Sequence, residues 1–285
     1  ILILLSIGLF FLNGLNFGID FKGGTLIEIE TQNKIEISEV RSSLNSLSLG
    51  DIQVQEFGSE KNLLIRIEQQ QGGDQIQQNV LEIVKQKLMN DISETINFRR
   101  TEVVGPKVSG ELIQSGTIAI LVAVFAMLIY IWLRFEWQFS LGAVIALLHD
   151  VILTIGVFCL TQLEFNLPII AAILTIVGYS MNDTVVVYDR VRENLRKFRS
   201  KEITSLLNLS INETLSRTIV TSVTTLLALV SLYIFGGEVI KGFTFAMIWG
   251  VLVGTYSSIF VAAPLLTYLD VKREWNTTTA VDSTK

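Results

Sequence analysis

Several stretches of this sequence stay apolar for about 20 residues, the length a helix needs to cross roughly 30 Å of hydrocarbon. They lie at 112–133, 139–161, 167–188, 219–235 and 243–269, with the fourth able to begin as early as Ile211. A sixth run, "ILILLSIGLFFLN", opens the chain at 1–13 and is too short to span comfortably. It carries no basic segment and no small-residue cleavage site, so it reads as the second half of a membrane helix, not as a signal peptide. Half of the 285 residues are hydrophobic and only 17% are charged, below the roughly 25% usual in soluble domains. The chain therefore reads as a polytopic α-helical membrane protein with six transmembrane helices, the first one truncated.

Lysines and arginines in the short connections set the orientation. Arg134 follows the 112–133 run. Arg190, Arg192, Arg196, Lys197, Arg199 and Lys201 follow the 167–188 run, and Lys272 and Arg273 lie in the tail at 270–285. The alternate loops, "QLEFN" and "GGEVIK", share one positive residue, Lys241. The basic end is thus expected in the cytoplasm and the polar region at 14–111 on the opposite side.

That polar region carries its own pattern. "TLIEIE" and "IQVQEF" alternate apolar and polar residues as half-buried strands do, and "LLIRIE" repeats this after the turn "GSEKN". "ISEVRSSLNSL" has helical spacing, and the segment after "GGD" places Ile76, Val80, Ile83, Val84 and Leu88 on one helical face. "INFRRTEVV" reads as a closing strand. The order is βαββαβ, an α+β ferredoxin-like domain, with 103–109 as its linker into the membrane region at 112–269.

Ionisable side chains at membrane depth cost about 2.5–3.5 kcal/mol on insertion scales and are functional candidates by default. Asp150 sits mid-span in "LLHDVILT", next to His149, the only histidine. Asp183 lies five residues before Tyr188 in "GYSMNDTVVVYDRVREN", roughly 7 Å from the basic end by helical rise. Arg217 enters the next span in "NETLSRTIVTSVTTLL", and antiparallel helices put it at a depth that Asp183 can match. An Asp183–Arg217 ion pair would be released by a proton arriving at the acid. The alternative is polar glue between helices, with Asn182, Ser180 and Thr184 in the same role. Arg217 has its own alternatives, snorkelling to the headgroups or pairing with Glu213. Thr218, Thr221, Ser222, Thr224 and Thr225 form a hydroxyl-rich stretch that reads as helix packing or, alternatively, as the lining of a wet path, and the small residues Gly250, Gly254, Ser257 and Ser258 read as helix-packing positions. The single cysteine, Cys159, excludes an intrachain disulfide, no Cys/His spacing suggests a metal, and no nucleophile–base arrangement suggests an enzyme.

Two stretches carry a family resemblance. "GLNFGIDFKGGTLIEIE" resembles the signature that follows the first helix in the SecD/SecF family, and "GYSMNDTVVVYDRVREN" resembles the fourth-helix signature of its SecF-type members. "LLHDV" and "ETLSRTIVTSVTTLLALVSLYIFGG" match in order and spacing. The resemblance covers essentially the whole chain. It implies a proton-driven accessory of the Sec translocon in the bacterial inner membrane, related in fold to resistance-nodulation-division exporters. Its implied partners are SecD, the SecYEG translocon, exported polypeptide chains and the lipid bilayer, with no nucleic acid. The implied role is late translocation and release of exported chains, after the motor SecA has acted. Protons are the coupling ion and no other cofactor is implied. The resemblance places proton passage on Asp183 and Arg217, with Asp150 beside them. It makes the 14–111 region the extracytoplasmic P1 domain, which leaves the membrane through the turn at Asp20, Gly23 and Gly24. The competing reading is an exporter of small molecules or lipids from the wider superfamily. It calls for a larger outer region and a duplicated helix set, and this chain has neither.

Overall fold

The apolar opening run folds as α1 (Leu2–Asn13), and one further turn, α2 (Ile19–Lys22), leads into the polar region. The structure, a computed structural model, describes residues 1–70, 72–93, 95–269 and 271. The alternating segments form β1 (Gly24–Glu30), β2 (Ile52–Phe57), β3 (Ser59–Ile67) and β4 (Asn97–Val104). They pair in the order β2-β3-β1-β4, every neighbour antiparallel. With α3 (Ile37–Asn45) and α4 (Asp74–Asp91) the element order is βαββαβ.

Both helices cover one face of the sheet. Val40 and Leu44 of α3 and Val80, Val84 and Leu88 of α4 pack on Ile27, Ile29, Val54, Ile65 and Ile67. Two expected members of that core lie elsewhere: Ile76 and Ile83 are 39% and 47% exposed. The buried stripe follows a four-residue step from Val80 to Leu88, with Gln77 beneath it, and a helix of pitch 3.6 rotates positions 76 and 83 off that line. The turn expected over 58–62 is also shorter. Gly58 alone turns the chain at φ 77°, and β3 begins at Ser59. The polar start of β3 is exposed on one strand overhang, which is why it reads as a loop.

β1 departs from simple alternation. It is buried along nearly its whole length, because its second face is covered as well. There Leu26 packs with Ile19 of α2 and Leu64 of β3. Gly24 at the strand entry has φ 118°, and a Cβ there would lie 2.3 Å from the Ile67 carbonyl oxygen. Only glycine allows this approach.

The membrane region comprises α5 (Pro106–Arg134), α6 (Trp137–Thr161), α7 (Leu167–Lys197), α8 (Ile203–Phe235) and α9 (Glu238–Ser257). A π turn (Ser258–Ala262) and a short α10 (Ala263–Leu265) continue α9. Among the described residues, 5 helices are long and apolar enough to cross a membrane. The opening helix α1 has 12 residues, about 18 Å at 1.5 Å per residue, which is less than a span. Both α7 and α8 run further into the basic end than their apolar stretches suggest. Hydropathy marks only the part of a helix meant for hydrocarbon, and polar residues prolong it in water. The linker expected at 103–109 reduces to Gly105, since β4 ends at Val104 and α5 begins at Pro106. Proline suits the first helical position because its missing N–H would be unpaired there anyway. The expected tail at 270–285 lies outside the described residues apart from Val271.

Three of the five helices form the packed centre. About half of the apolar stretch of α6, α7 and α9 is buried, against 11% for α5 and α8. Gly250 and Gly254 let α9 close on α7. A Cβ at Gly250 would lie 2.2 Å from Ile176 Cγ1, and one at Gly254 would lie 3.0 Å from Ser180 Cβ. The small-residue spacing read from sequence thus sets the distance at which polar groups of these two helices meet.

Candidate functional site

Inside this three-helix centre lies a layer of carboxylates and hydroxyls. Asp150 of α6 is fully buried. Its Oδ2 accepts hydrogen bonds from Ser180 of α7 at 2.5 Å and Ser257 of α9 at 2.7 Å. Its Oδ1 lies 2.9 Å from His149 Nδ1. The His149 ring in turn stacks on Tyr256, with ring centroids 6.4 Å apart.

Asp183 lies one helical turn along α7 from Ser180. Its Oδ1 accepts from Thr218 of α8 at 2.6 Å, and its Oδ2 accepts from Ser258. Thr184 donates to the Ser180 carbonyl at 3.1 Å, and Ser222 and Thr255 extend the layer with a contact of 2.7 Å. Ser180 thus bonds Asp150 directly, and Thr184 bonds back to the Ser180 carbonyl. Asn182 is exposed and stands outside these hydrogen bonds.

Arg217 is positioned differently from its expected pairing. It is exposed, in a shallow groove at the basic end with Asp189, Arg190, Glu193 and Glu213. Among the described residues it forms no ion pair with Asp183. It forms none with Glu213 either, which instead takes Arg190 at 2.7 Å. The physical reason is rotation. Successive helical side chains diverge by about 100°, and here Thr218, not Arg217, points at Asp183. Depth matching from sequence carries no information about that angle.

Neither acid meets a lysine or arginine among the described residues; hydroxyls hold both carboxylates, and His149 adds its contact to Asp150. Hydroxyls both donate and accept, so each can bond a carboxylate and a second partner. No set of three or more His, Cys, Asp or Glu side chains fit to hold a metal occurs among the described residues.

Ser257 and Ser258 were legible in sequence only as helix-packing residues, and Thr218 as helix packing or the lining of a wet path. The available signal was two consecutive serines in an apolar helix, followed by Pro264.

Asp20, Gly23 and Gly24 sit at the sheet end, away from the acids. Asp20 Oδ2 accepts from the backbone N–H of Leu167, the first residue of α7, at 2.8 Å. Around it the segment before β1 is bonded to the loop between α6 and α7. Gly18 N–H donates to the Phe165 carbonyl at 2.8 Å, and Phe165 N–H donates to the Asn16 carbonyl at 2.7 Å. Arg66 of β3 adds an ion pair to Glu164 at 2.7 Å.

Comparison with known proteins agrees with the layout. Residues 84–272 match the family described as "Protein export membrane protein SecD/SecF, C-terminal", and residues 8–35 match the "SecD/SecF GG Motif". The protein translocase subunit SecF of Rickettsia bellii is 50% identical over 258 residues, covering 90% of this chain and 84% of the relative. That of Cereibacter sphaeroides is 49% identical over 266 residues, covering 91% and 82%. The crystal structure of SecDF from Thermus thermophilus superposes with a TM-score of 0.83 at 36% identity, over 94% of this chain and 36% of that longer one. A second SecDF structure, in a super-membrane-facing form, gives a TM-score of 0.68.

Proposed function

The chain belongs to the SecD/SecF family of protein-export membrane proteins, and from that premise we propose that it is a proton-coupled accessory subunit of the Sec translocon. In this reading it acts with SecD beside SecYEG and uses the proton gradient to promote late movement and release of exported chains. The observation that carries the proton coupling is the hydroxyl-held pair of acids, Asp150 and Asp183, inside helices otherwise fit for hydrocarbon.

Asp183 is the proton-binding acid, because it is partly accessible and close to the basic end. Arg217 works from the groove beside it, as a positive charge at the entrance. Asp150 is the deeper station. Ser180 and Thr184 hold the layer's geometry.

The sheet domain is read as ferredoxin-like. The strand order β2-β3-β1-β4 and the placement of both helices on one face support this. Its location on the extracytoplasmic side is supported by the basic residues gathered at the opposite end of the helices. We read α1 as part of a sixth span, supported by its close packing on α6, where Ser6 meets Gly156. The bonds among Asn16, Gly18, Asp20, Phe165 and Leu167 supply a mechanical link from α7, which bears Asp183, to the sheet domain.

The test is export into membrane vesicles with an imposed proton gradient, using the intact complex. Asp183→Asn should remove most of the gradient-dependent part of export while leaving the ATP-dependent part. Full retention of the gradient response would overturn the proton role of Asp183.

A further inference from the structure

Ser257 and Ser258 are neighbours in sequence yet serve different acids on different helices. Ser257 donates to Asp150 of α6, and Ser258 donates to Asp183 of α7. Both serines are fully buried. Their step is where the α-helix stops, since Ser257 closes α9 and Ser258 opens the π turn. Pro264 lies just beyond it. Proline offers no N–H to the carbonyl four residues back and crowds it sterically, and a wide turn absorbs that defect. The far end of the turn is pinned by α7, where Tyr188 donates to the Ala262 carbonyl at 3.0 Å.

Each serine also has a second acceptor one turn back. Ser257 Oγ lies 3.1 Å from the Gly254 carbonyl, and Ser258 Oγ lies 3.0 Å from the Thr255 carbonyl. A serine hydroxyl has a single hydrogen, so it can favour the acid or the backbone. When an acid is ionised, the hydrogen is drawn to the carboxylate. When the acid takes a proton, its own O–H becomes the donor, and the serine hydrogen is free to turn to the backbone carbonyl. No covalent bond changes and the serine keeps its hydrogen throughout.

We propose that Ser257 and Ser258 are positioning residues that join Asp150 and Asp183 into one coupled protonation unit. A proton on either acid turns its serine toward the backbone, and the shared peptide at the start of the π turn carries that change to the other serine. This rests on the reading of Asp183 as a proton site. The titratable groups facing the unit are His149 on α6, Tyr179 and Tyr188 on α7 and Tyr256 on α9, and Arg217 of α8 lies outside it in the groove at the basic end. The sequence of α1 contains none, and α5 packs Val124, Met127 and Ile131 on the neighbouring core.

Difference infrared spectroscopy on the full chain in its complex tests this. The carboxyl band of Asp150 is assigned by its loss in Asp150→Asn and followed with pH. Introducing Asp183→Asn, which fixes position 183 neutral, should shift the band or its titration midpoint. With Ser257→Ala and Ser258→Ala together, that shift should fall by more than half, whereas Ser258→Thr, which keeps the hydroxyl, should preserve it. The proposal is overturned if Asp183→Asn leaves the Asp150 band unmoved with both serines present. It is equally overturned if the full shift survives without the serine hydroxyls, because bare charge interaction then suffices. If the double variant does not fold, Ser258→Ala alone makes the same comparison and the serine-intact arm decides by itself. The vesicle assay keeps the two readings apart. Loss of gradient-driven export in Asp183→Asn without band coupling sinks the serine unit alone, and an unchanged gradient response sinks the proton role.

Discussion

Asp20 caps the helix that carries Asp183: its Oδ2 takes the backbone N–H of Leu167 at 2.8 Å. The first four N–H groups of a helix lack intrahelical acceptors, and a carboxylate at that end also meets the positive pole of the helix dipole. Asp20 belongs to α2, directly before the strand that enters the sheet domain, so the cap joins two parts of the molecule. Asp20→Ala should cost about 1 kcal/mol, within the usual range for a lost cap. Asp20→Asn keeps an acceptor and should cost less. Thermal unfolding of the purified complex checks the order, and gradient-driven export should fall further in the alanine variant than in the asparagine one.

Arg66 and Glu164 form the second link between the sheet domain and the helices, at 2.7 Å. Their side chains are 12% and 24% exposed, so the pair sits between the exposed case, worth 0–1 kcal/mol, and the buried one. A double-mutant cycle with Arg66→Gln and Glu164→Gln should give a coupling on the order of 1 kcal/mol. A coupling indistinguishable from zero would mean that the backbone bonds at Gly18 and Phe165 carry the junction alone.

At the far side of the sheet domain, α3 and α4 meet through Asp91. Its carboxyl is held below the usual range, first by the Lys87 hydrogen bond at 2.9 Å and then by Ser43 at 2.7 Å. A depressed folded-state value adds stability that is present above the unfolded value, near 3.8, and is lost as pH falls through the folded one. Protection against hydrogen exchange at the C-terminal end of α4, taken relative to the intrinsic rate at each pH, should therefore fall below about pH 4. Asp91→Asn should be less protected at neutral pH and should lack that part of the acid dependence.

The larger features were legible because each rests on a short-range rule. The spans followed from run length, and the βαββαβ order from periods of two and 3.6. What failed depends on geometry between elements. Ile76 and Ile83 fit the helical period but fall off the stripe that the sheet covers. Ser59 to Asn62 read as a turn because their exposure, not their backbone, is loop-like. The acids were visible as anomalies of cost, and Ser180 and Thr184 only as polar glue near them. Ser257 and Ser258 were not, since two small residues in an apolar helix look the same whether they pack or bind. Only the π turn and the approach of α9 to α6 and α7 separate those roles.

That approach depends on Gly250, where a Cβ would lie 2.2 Å from Ile176 Cγ1. Overpacking of this kind commonly costs 1–3 kcal/mol. Gly250→Ala should lower the melting temperature and, by parting α7 from α9, weaken the gradient response too. Ile176→Val removes a methyl at the contact and should restore part of both. If Gly250→Ala is neutral by itself, α7 and α9 tolerate a wider spacing than the hydroxyl layer requires.

Asp183 and Arg217 provide the sharpest test of the layer's geometry. A direct ion pair predicts that Arg217→Glu is rescued by Asp183→Arg, because reversing both charges preserves their attraction. The structure predicts no rescue. Asp183 faces Thr218 and Ser258, while Arg217 lies exposed among Asp189, Arg190, Glu193 and Glu213. An arginine at 183 would put a guanidinium in place of the carboxylate that Thr218 and Ser258 bond, and it would remove the acid from the layer. Arg217→Glu alone should reduce gradient-driven export by placing a negative charge at the entrance, and Arg217→Lys should retain much of it. The double exchange should be at least as inactive as Asp183→Asn. Recovery of gradient-driven export in the double exchange, measured in the same vesicles at matched expression, would restore the direct pair and displace the hydroxyl layer as the holder of Asp183.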